Sequence, residues 1–280
     1  MAQGSSLHGV SAAVTGGGHG IGRAIAAQLA RAGARVAIGD LDLEAAQDCA
    51  RELGGEVLAC ALDVTQPEDF AAFLDAAEAR HGPLGVLVNN AGIDWIGPFH
   101  EQPDAVARQE IAVNVYGTVL GARLALARML PRGEGHLVNI ASGAGRVPFP
   151  GSATYAATKH AIVGLTESLR LEYQASGVHF TVVQPVQVET GMLDGQARPR
   201  ALPVITPDDV AAAVVDAIER RRFEVWVPAS QALSARLGML LPRRARDRVM
   251  RALGVTRIAA DTDLRARRAY HERTFGDGGR

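Results

Sequence analysis

The chain has 280 residues, of which 48% are hydrophobic and 21% are charged, and its formal net charge is -1. This composition fits a globular enzyme with an ample core, and no stretch reaches the ~18 consecutive apolar residues that a membrane-spanning helix needs. The N-terminal residues lack the basic and apolar regions of a signal peptide, and Cys49 and Cys60 lack metal-ligand spacing, so we expect a cytoplasmic protein with reduced thiols and no metal.

Short apolar runs alternate with helical stretches over residues 8–228. Strands are predicted at Val10–Thr15, Arg35–Gly39, Val57–Leu62, Leu84–Val88, Gly135–Ile140, Val178–Gln184 and Phe223–Val227. Helices are predicted at Gly20–Ala32, Leu43–Leu53, Pro67–Arg80, Asp104–Leu130, Thr154–Ser176 and Pro207–Arg222. This alternation is typical of an α/β fold, a parallel sheet with helices on both faces. Ligands of such sheets bind outside the carboxyl ends of the strands.

A glycine-rich segment, Thr15 to Gly22, joins the first predicted strand to the first helix. Its glycines permit a tight turn and let the backbone approach a pyrophosphate, while the N-terminus of the helix supplies free N–H groups and the positive end of a dipole. A glycine cluster can also be an ordinary loop. Its place in the first strand–helix unit favours a dinucleotide site.

Asp40 ends the second predicted strand, 18 residues after Gly22. A carboxylate at this place accepts hydrogen bonds from the ribose hydroxyls of an adenosine and repels a 2′-phosphate, so NAD is favoured over NADP. Alternatively, Asp40 caps the helix that begins near Leu43. Asp63 and Val64, which follow the third strand, are expected to contact the adenine, with a loop cap as the alternative for Asp63.

Lys159 is the single lysine among 29 basic side chains, and it comes four residues after Tyr155. Positions i and i+4 of a helix share one face, so the ammonium is expected beside the phenol. A neighbouring positive charge lowers the pKa of a tyrosine, which makes Tyr155 a candidate general acid/base for a hydroxyl or carbonyl substrate. The alternative is a surface Tyr–Lys pair without a catalytic role.

Taken together, these motifs resemble those of the short-chain dehydrogenase/reductase family. The resemblance rests on the TGxxxGxG pattern from Thr15, on Asn89-Asn90-Ala91-Gly92, on Ser142 thirteen residues before Tyr155, and on Tyr155-x-x-x-Lys159. It covers about residues 8–228. It implies a single doubly wound Rossmann-type sheet in a domain that binds NAD and carries the catalytic residues.

The same resemblance implies a role for each catalytic residue. Tyr155 exchanges a proton with the substrate oxygen, Lys159 lowers the pKa of the tyrosine and binds the nicotinamide ribose, and Ser142 orients the substrate oxygen. Asn114, on the preceding long helix, anchors a water relay to the lysine. Cofactor contacts are expected from Gly16, His19, Gly20, Ile21, Gly22, Asp40, Asp63, Val64, Asn90, Ala91, Gly92, Tyr155, Lys159, Pro185, Val188 and Thr190.

The chain departs from the family pattern after the sixth strand, where the family usually has Pro-Gly, then Val or Ile, then Thr. Here the sequence is Pro185-Val186-Gln187-Val188-Glu189-Thr190. Because the threonine is retained, a contact from Thr190 to the carboxamide is still expected. Val186 stands in place of glycine and restricts the backbone, which predicts a reshaped pocket on the nicotinamide side.

Three loops are expected around the reacting carbon: Asp94–Phe99, Gly143–Pro150 and Gly191–Ile205. Their apolar side chains predict a hydrophobic secondary alcohol or ketone as the substrate, instead of a sugar or a nucleotide. The third loop has several Gly and Pro residues and is predicted to be a mobile lid. Substrate contacts are expected from Trp95, Ser142, Val147, Phe149, Gln187 and Met192.

Residues 229–280 are predicted to be a basic helical extension that is not an independent domain. They carry 12 basic and 5 acidic side chains, net +7, against 17 and 25, net -8, in residues 1–228. Two helices are predicted there, at Ser230–Leu241 and Arg243–Leu253. We favour docking on the acidic core or on a neighbouring subunit. Peripheral contact with anionic lipid is the less favoured alternative, and no nucleic-acid partner is expected, because no recognition motif is present.

The leading hypothesis is an NAD-dependent oxidoreductase that transfers a hydride between a hydrophobic secondary alcohol, or its ketone, and nicotinamide. One alternative is an NADP-dependent 3-oxoacyl thioester reductase, which the carboxylate after the second strand disfavours. Another is a dinucleotide-binding regulator without turnover, which the intact catalytic residues disfavour. The resemblance also implies a homodimer or homotetramer, with the helices Asp104–Leu130 and Thr154–Ser176 at the main interface.

Overall fold

The computed structural model describes residues 7–197 and 203–276 of the chain. Residues 198–202 of the predicted lid and residues 277–280 of the predicted extension lie outside the described residues. In the described part, helices cover both faces of a seven-stranded parallel sheet. A pair of two-residue strands lies between the last two strands of this sheet in the chain, and several C-terminal helices follow the sheet.

The main sheet contains β1 (Ser11–Thr15), β2 (Arg35–Asp40), β3 (Leu58–Ala61), β4 (Leu84–Asn89), β5 (Gly135–Ile140), β6 (Val178–Pro185) and β9 (Glu224–Val227). The short strands β7 (Gln187–Val188) and β8 (Val204–Ile205) pair with each other. The order in the main sheet is β3-β2-β1-β4-β5-β6-β9, and every pairing is parallel. The chain direction across the sheet reverses between β1 and β4, the switch point at which open α/β sheets bind ligands.

The helices that cover the sheet are α1 (Gly20–Arg31), α2 (Leu43–Leu53), α3 (Pro67–His81), α4 (Asp104–Ile111), α5 (Gly117–Met129), α6 (Ala153–Glu172) and α7 (Pro207–Glu219). On one face, Ile25 of α1 and Val214 of α7 belong to a buried cluster with β1 and β5. On the other face, Phe70 of α3 and Met129 of α5 belong to a second cluster. The predicted doubly wound α/β fold is therefore confirmed.

The predicted helix Asp104–Leu130 is interrupted in the middle. The helices α4 and α5 are joined by a π-helical turn, Ala112–Tyr116. Such a turn contains an extra residue and therefore shifts which side chains of the helix face inward. Turns of this kind are frequent at functional sites. This one contains Asn114, whose side chain is fully buried. The chain is helical over the predicted stretch, and the irregular turn, which the sequence analysis does not foresee, carries the buried Asn114.

The C-terminal extension consists of α8 (Ser230–Leu240), α9 (Arg243–Ala252), α10 (Ile258–Asp261) and α11 (Leu264–Phe275). The first two lie where the sequence predicts helices, whereas α10 and α11 are missing from the prediction. The helices α8 and α9 expose several leucines and arginines to solvent, while α11 buries one face against the sheet's carboxyl edge. Across the two described ranges, none of the helices has the length and apolarity needed to span a membrane.

Candidate active site

The glycine-rich segment forms the turn between β1 and α1, and its glycines are required by close packing. Gly16 has a φ of 64°, in the left-handed region that favours glycine. A Cβ on Gly16 would lie 2.9 Å from the Cα of Ala91, and a Cβ on Gly22 would lie 2.0 Å from the carbonyl oxygen of Gly16. His19 precedes α1 without a side-chain cap, and Ile21 packs against the core. The turn therefore brings the N-terminus of α1 to the sheet's edge, as an anion site requires.

Two side chains connect this turn to the loop after β4. The Thr15 hydroxyl accepts hydrogen bonds from the backbone N–H groups of Asn90, at 3.0 Å, and of Ala91, at 3.1 Å. The Asn90 amide donates to the carbonyl oxygens of Thr15, at 3.0 Å, and of Gly16, at 3.1 Å. The loops after β1 and β4 are thus held together by uncharged hydrogen bonds, with no ion pair between them.

Asp40, at the end of β2, is bound to the glycine turn. Its Oδ2 accepts from the N–H of Gly18 at 2.8 Å, and its Oδ1 accepts from the N–H of Asp42 at 3.0 Å. The cap of α2 is Asp42, whose Oδ1 accepts from the N–H of Ala45 at 3.0 Å. The alternative in which Asp40 caps this helix is therefore wrong. His19 lies beside the same loop, with Nε2 3.4 Å from Asp42 Oδ2.

Asp63 and Val64 follow β3 and have partners inside the protein. Asp63 Oδ1 accepts from the N–H of Thr65 at 2.9 Å and from its hydroxyl at 2.7 Å, which is the loop cap considered as an alternative. Val64 is buried against Gly117, where a Cβ would lie 2.9 Å from Val64 Cγ2. A contact from either residue to an adenine stays a prediction.

The predicted catalytic side chains meet at the start of α6 and the end of β5. Lys159 is buried, and its Nζ donates to the carbonyl oxygen of Ile140 at 3.0 Å. The same Nζ lies 5.4 Å from the centroid of the Tyr155 ring. Ser142 lies beside the phenol, and its Oγ accepts from the N–H of Ala144 at 3.1 Å. A hydroxyl, a phenol and an ammonium thus share one small region.

Burial dominates the electrostatics of this region. Burial raises the pKa of the Tyr155 phenol above its ordinary value, and the Asp94 carboxylate adds to this rise, whereas Ser142 opposes it. Burial also lowers the pKa of Lys159 to about 8, against the attraction of Asp94. Lost solvation is the largest influence on the phenol, and it acts against the lowering expected from a neighbouring ammonium. The lowering of the Tyr155 pKa by Lys159 therefore stays a prediction.

Asn114 connects the π-helical turn to both neighbouring segments. Its Oδ1 accepts from the N–H of Ile93 at 2.8 Å, and its Nδ2 donates to the carbonyl of Ile93 at 2.9 Å and to the Thr158 hydroxyl at 3.0 Å. A Cβ on Gly92 would lie 3.3 Å from Asn114 Oδ1 and 3.4 Å from Lys159 Nζ. Asn114 therefore fixes the backbone beside the lysine, and the water relay stays a prediction.

The segment after β6 lies against the start of α1. Pro185 is the buried last residue of β6, and Val188 pairs with Ile205 in the short β7–β8 ribbon. A Cβ on Gly20 would lie 3.2 Å from Thr190 Cγ2. The predicted cofactor residues Thr190 and Gly20 are thus neighbours, as a ligand held between these two loops requires.

Val186 fits its place without the conformational freedom of glycine. Its N–H donates to the carbonyl oxygen of Val227 at 3.0 Å, and a Cβ on Gly143 would lie 3.6 Å from Val186 Cγ2. Among the described residues, Arg221 is the one non-glycine residue with a positive φ. The side chain of Val186 therefore faces the loop after β5, and its effect on the pocket stays a prediction.

The predicted substrate residues occupy two kinds of surroundings. Trp95 and Met192 pack with α11 in an apolar cluster that also contains Val106, Tyr270 and Phe275. The apolar wall of the predicted substrate site is therefore built partly from the C-terminal extension. This contribution of α11 is absent from the sequence-based prediction.

The other substrate candidates lie in the loop after β5 and in β7. Val147 and Phe149, in the loop after β5, are half-buried. Gln187 is buried, and neither atom of its amide has a hydrogen-bond partner among the described residues. A buried amide without partners is costly, so Gln187 is suited to bind a polar group of a ligand.

Sequence reasoning misses a buried charge pair between Asp94 and Arg267. Arg267 Nη2 lies 3.3 Å from Asp94 Oδ2 and donates to the Asp94 carbonyl at 3.1 Å. Burial raises the pKa of Asp94 to about 6, and the Arg267 guanidinium opposes the rise. Asp94 is the one carboxylate in the otherwise apolar predicted loop Asp94–Phe99, and this isolated charge could have indicated a buried partner. Arg267 is one of twelve arginines in the extension, and nothing local singles it out.

A second buried carboxyl group, Glu110 on α4, lies close to this pair. Its Oε1 accepts from the N–H of Trp95 at 2.9 Å, and its Oε2 accepts from the Gln102 amide at 2.6 Å. Burial raises the pKa of Glu110 to about 8, and the negative charge of Asp94 adds to the rise. Asp94, Glu110 and Arg267 are therefore buried near Tyr155 and Lys159 of α6.

Comparison with known proteins supports the same assignment. The family model described as short chain dehydrogenase matches residues 11–200. The chain is 42% identical to 2-(S)-hydroxypropyl-CoM dehydrogenase 3 of Xanthobacter autotrophicus, over 72% of this chain and 87% of that protein. It is 38% identical to 1-deoxy-11-beta-hydroxypentalenate dehydrogenase of Streptomyces exfoliatus, over 77% and 82% of the two chains.

A solved structure of the same family has a similar fold. The crystal structure of a short chain dehydrogenase/reductase from Burkholderia phymatum in complex with NAD has a TM-score of 0.76 to this chain at 30% identity. It covers 83% of this chain and 94% of its own. These matches confirm the resemblance that the sequence motifs indicate.

Proposed function

We propose that this chain, an oxidoreductase that belongs to the short-chain dehydrogenase/reductase family, uses NAD to interconvert a hydrophobic secondary alcohol and its ketone. The observation that carries the proposal is the grouping of Ser142, Tyr155 and Lys159, with Lys159 beside the loop after β4 that is hydrogen-bonded to the glycine turn. A proton-exchanging phenol next to a dinucleotide site is suited to hydride transfer at a carbon that bears oxygen.

The residues at the carboxyl edge fit a dinucleotide. Gly16 and Gly22 leave no room for a Cβ, and the turn they form ends at the N-terminus of α1, where a pyrophosphate is stabilised. The carboxylate of Asp40 lies against this turn and would repel a 2′-phosphate, which favours NAD over NADP. When bound, NAD supplies the acceptor for a hydride, and the remaining chemistry belongs to the protein.

In this mechanism Tyr155 moves the proton and Ser142 positions the substrate oxygen. Because burial raises the pKa of Tyr155, the phenol is protonated at neutral pH and ready to donate to a ketone oxygen. In the direction of alcohol oxidation, the phenol must first lose that proton. We therefore expect the oxidation rate to rise with pH and the reduction rate to fall.

The preference for a hydrophobic substrate is supported by the walls of the site. Trp95 and Met192 belong to an apolar cluster on the substrate side, and such walls favour apolar ligands. The names of the two curated relatives each specify a hydroxylated substrate. The buried, unpaired amide of Gln187 provides for one polar contact with such a molecule.

The test is NADH formation by the purified protein with steroids, cyclic terpenoid alcohols, aryl carbinols and 3-hydroxyacyl thioesters, each with NAD and with NADP. Activity with NAD on one apolar class is expected. Tyr155→Phe should reduce turnover by about 100- to 10,000-fold with unchanged NAD binding, while the control Tyr173→Phe should leave it unchanged. Activity with NADP alone would instead support the thioester reductase, and full activity of the Tyr155→Phe variant would remove Tyr155 from the mechanism.

A homo-oligomer in the cytoplasm is part of the proposal. Ile111 on α4, Tyr116 in the π-helical turn and Leu171 on α6 are large apolar side chains exposed to solvent, and they lie on the helices expected at the subunit interface. The two free cysteines, Cys49 and Cys60, agree with a reducing compartment. Light scattering after size-exclusion chromatography distinguishes a dimer or tetramer from a monomer.

A further inference from the structure

The C-terminal helix α11 is attached to the substrate side through one arginine. Arg267 is fully buried. Its Nη1 donates to the carbonyl oxygens of Met192, at 2.5 Å, and Asp194, at 3.4 Å, and its Nη2 donates to the carbonyl of Asp94 at 3.1 Å. One guanidinium thereby connects α11 to two loops that surround the catalytic residues.

The remaining partner of Arg267 is the carboxylate of Asp94. Oδ2 of this carboxylate lies 3.3 Å from Nη2, and the Asp94 N–H donates to the Tyr270 hydroxyl at 3.3 Å. Oδ1 is buried, and the buried Ser152 hydroxyl beside the carboxylate helps Arg267 to oppose the rise in the Asp94 pKa. The carboxylate is therefore stabilised by Arg267 and Ser152, and its charge acts on the other groups around it.

Those groups include the catalytic pair. Gly92, two residues before Asp94, lies so close to Lys159 that a Cβ on it would be 3.4 Å from Nζ. Three helices place charged or titratable groups near Asp94. These groups are Arg267 and Tyr270 from α11, Tyr155 and Lys159 from α6, and Glu110 from α4.

We propose that Asp94 and Arg267 are positioning residues of the active site. Arg267 holds α11 over the substrate side, and the charge of Asp94 sets the pH range in which Tyr155 exchanges its proton. This inference rests on the proposed function, because it assigns the extension a part in the same reaction.

The physical argument is the effect of one negative charge on two neighbouring groups. A carboxylate disfavours a second anion and favours a cation within a few ångströms. It therefore adds to the rise that burial causes in the pKa of Tyr155 and counters the fall that burial causes in the pKa of Lys159. Without Arg267, a buried Asp94 would take up a proton and lose this influence.

The first test separates charge from position with two conservative variants. Asp94→Asn keeps the size of the side chain and removes its charge. Arg267→Lys keeps the charge and removes the fork that binds three carbonyl groups. Both are made in a Trp226→Phe background. The chain has two tryptophans, so the fluorescence then reports Trp95, whose ring stacks on His271 of α11 at 6.2 Å between centroids.

For Asp94→Asn we expect the pH profile of kcat/KM for alcohol oxidation to move to lower pH by about one unit, with the emission of Trp95 unchanged. For Arg267→Lys we expect the profile to stay within a few tenths of a unit, while KM rises and the emission of Trp95 shifts to the red. Superimposable pH profiles of Asp94→Asn and its parent would overturn the proposal, as would a shift caused equally by both variants.

A second measurement needs no turnover. The chain has a single lysine, so protein labelled with ¹³C at Cε of lysine gives one side-chain resonance for Lys159. Its titration is expected near pH 8 and at lower pH in Asp94→Asn, because the variant removes a stabilising anion. Equal midpoints in the two proteins would overturn the inference. If no alcohol is oxidised but the midpoints differ, the proposed function fails and the influence of Asp94 on the pair is upheld.

Discussion

The two sides of Tyr155 are stabilised in different ways. On the cofactor side, Thr15 and Asn90 connect neighbouring loops through four hydrogen bonds between uncharged groups. On the substrate side, Asp94 and Arg267 connect segments that are 173 residues apart through a buried ion pair. The first arrangement fixes a geometry that depends little on pH, whereas the second introduces charges whose balance changes with protonation.

The same contrast appears within the basic extension. Arg243, Arg244, Arg246, Arg248 and Arg251 are all on α9, and no carboxylate of the described residues lies within ion-pair distance of them. Arg267 on α11 is the arginine that carries the docking, through one carboxylate and three carbonyl groups. Burial and specific partners, and not the net charge of +7 against -8, hold α11 in place.

The largest effect that this comparison predicts is on removal of the buried guanidinium. Arg267→Met should lower the free energy of unfolding by about 3–5 kcal/mol, because three carbonyl groups lose their donor and Asp94 must bind a proton at neutral pH to stay buried without its cation. Urea unfolding followed by circular dichroism measures the difference. A loss below about 1 kcal/mol would mean that α11 is held by its apolar contacts, chiefly around Tyr270 and Phe275.

The second prediction concerns the pH dependence of the same pair. The pKa of Asp94 is about 6 in the folded protein, against 3.8 for an ordinary aspartate. The folded state therefore binds the proton more tightly than the unfolded state, so this group contributes stability that appears as the pH falls from 6 to 4. At about 1.4 kcal/mol for each pKa unit, the contribution is about 3 kcal/mol.

Asp94→Asn has no such titration. The unfolding free energy of the wild-type protein minus that of the variant should therefore increase by about 2.5 kcal/mol between pH 7 and pH 4, since the last part of the gain comes only below pH 3.8. Taking the difference cancels the histidines, which titrate in both proteins. If the difference in unfolding free energy stays constant or becomes smaller as the pH is lowered, the Asp94 carboxylate is either solvated or still charged at pH 4.

The third prediction concerns the cofactor side, where a single hydroxyl serves two backbone groups. Thr15→Val removes the acceptor of the N–H groups of Asn90 and Ala91 and should cost about 1–3 kcal/mol, with little change between pH 5 and pH 8. Ser11, on the same strand, is a matched control, since its buried hydroxyl has no hydrogen-bond partner. Ser11→Ala should be neutral or slightly stabilising, and an equal loss in both variants would contradict the assigned role of Thr15.

The smallest effect is expected on α9. Arg248→Met replaces an exposed arginine and should change the unfolding free energy by less than about 0.5 kcal/mol. It is also the matched control for Arg267→Met, because the substitution is the same and the surroundings are different. A loss comparable to that of Arg267→Met would show that α9 is covered in solution, as a subunit interface requires.

Much of the fold follows from local sequence patterns. The predicted strands agree with the observed ones to within one residue at each end, because buried parallel strands are short apolar runs bounded by turns. The candidate catalytic residues Ser142, Tyr155 and Lys159 lie together, since each is placed by the end of a strand or by helical spacing. The helix ends are less accurate: α6 ends at Glu172, and the prediction extends to Ser176.

Other features have no local signal. The π-helical turn around Asn114 is one such feature, because Asn114 is held there by hydrogen bonds to Ile93 and Thr158, which are distant in the chain. The pKa of Tyr155 is another. The sequence shows the lysine four residues away, but the larger effect, loss of solvent, exists only when the other loops surround the phenol.

The sequence by itself therefore determined the α/β fold, the glycine turn and the identity of the candidate catalytic residues, because these depend on periodicity and on short spacings. The tertiary structure decided which of the twelve arginines of the extension is buried, that Asp94 is its partner, and how the charges around Tyr155 balance. Burial and long-range contacts set these energies, and both depend on segments that are distant in the chain and adjacent only after folding.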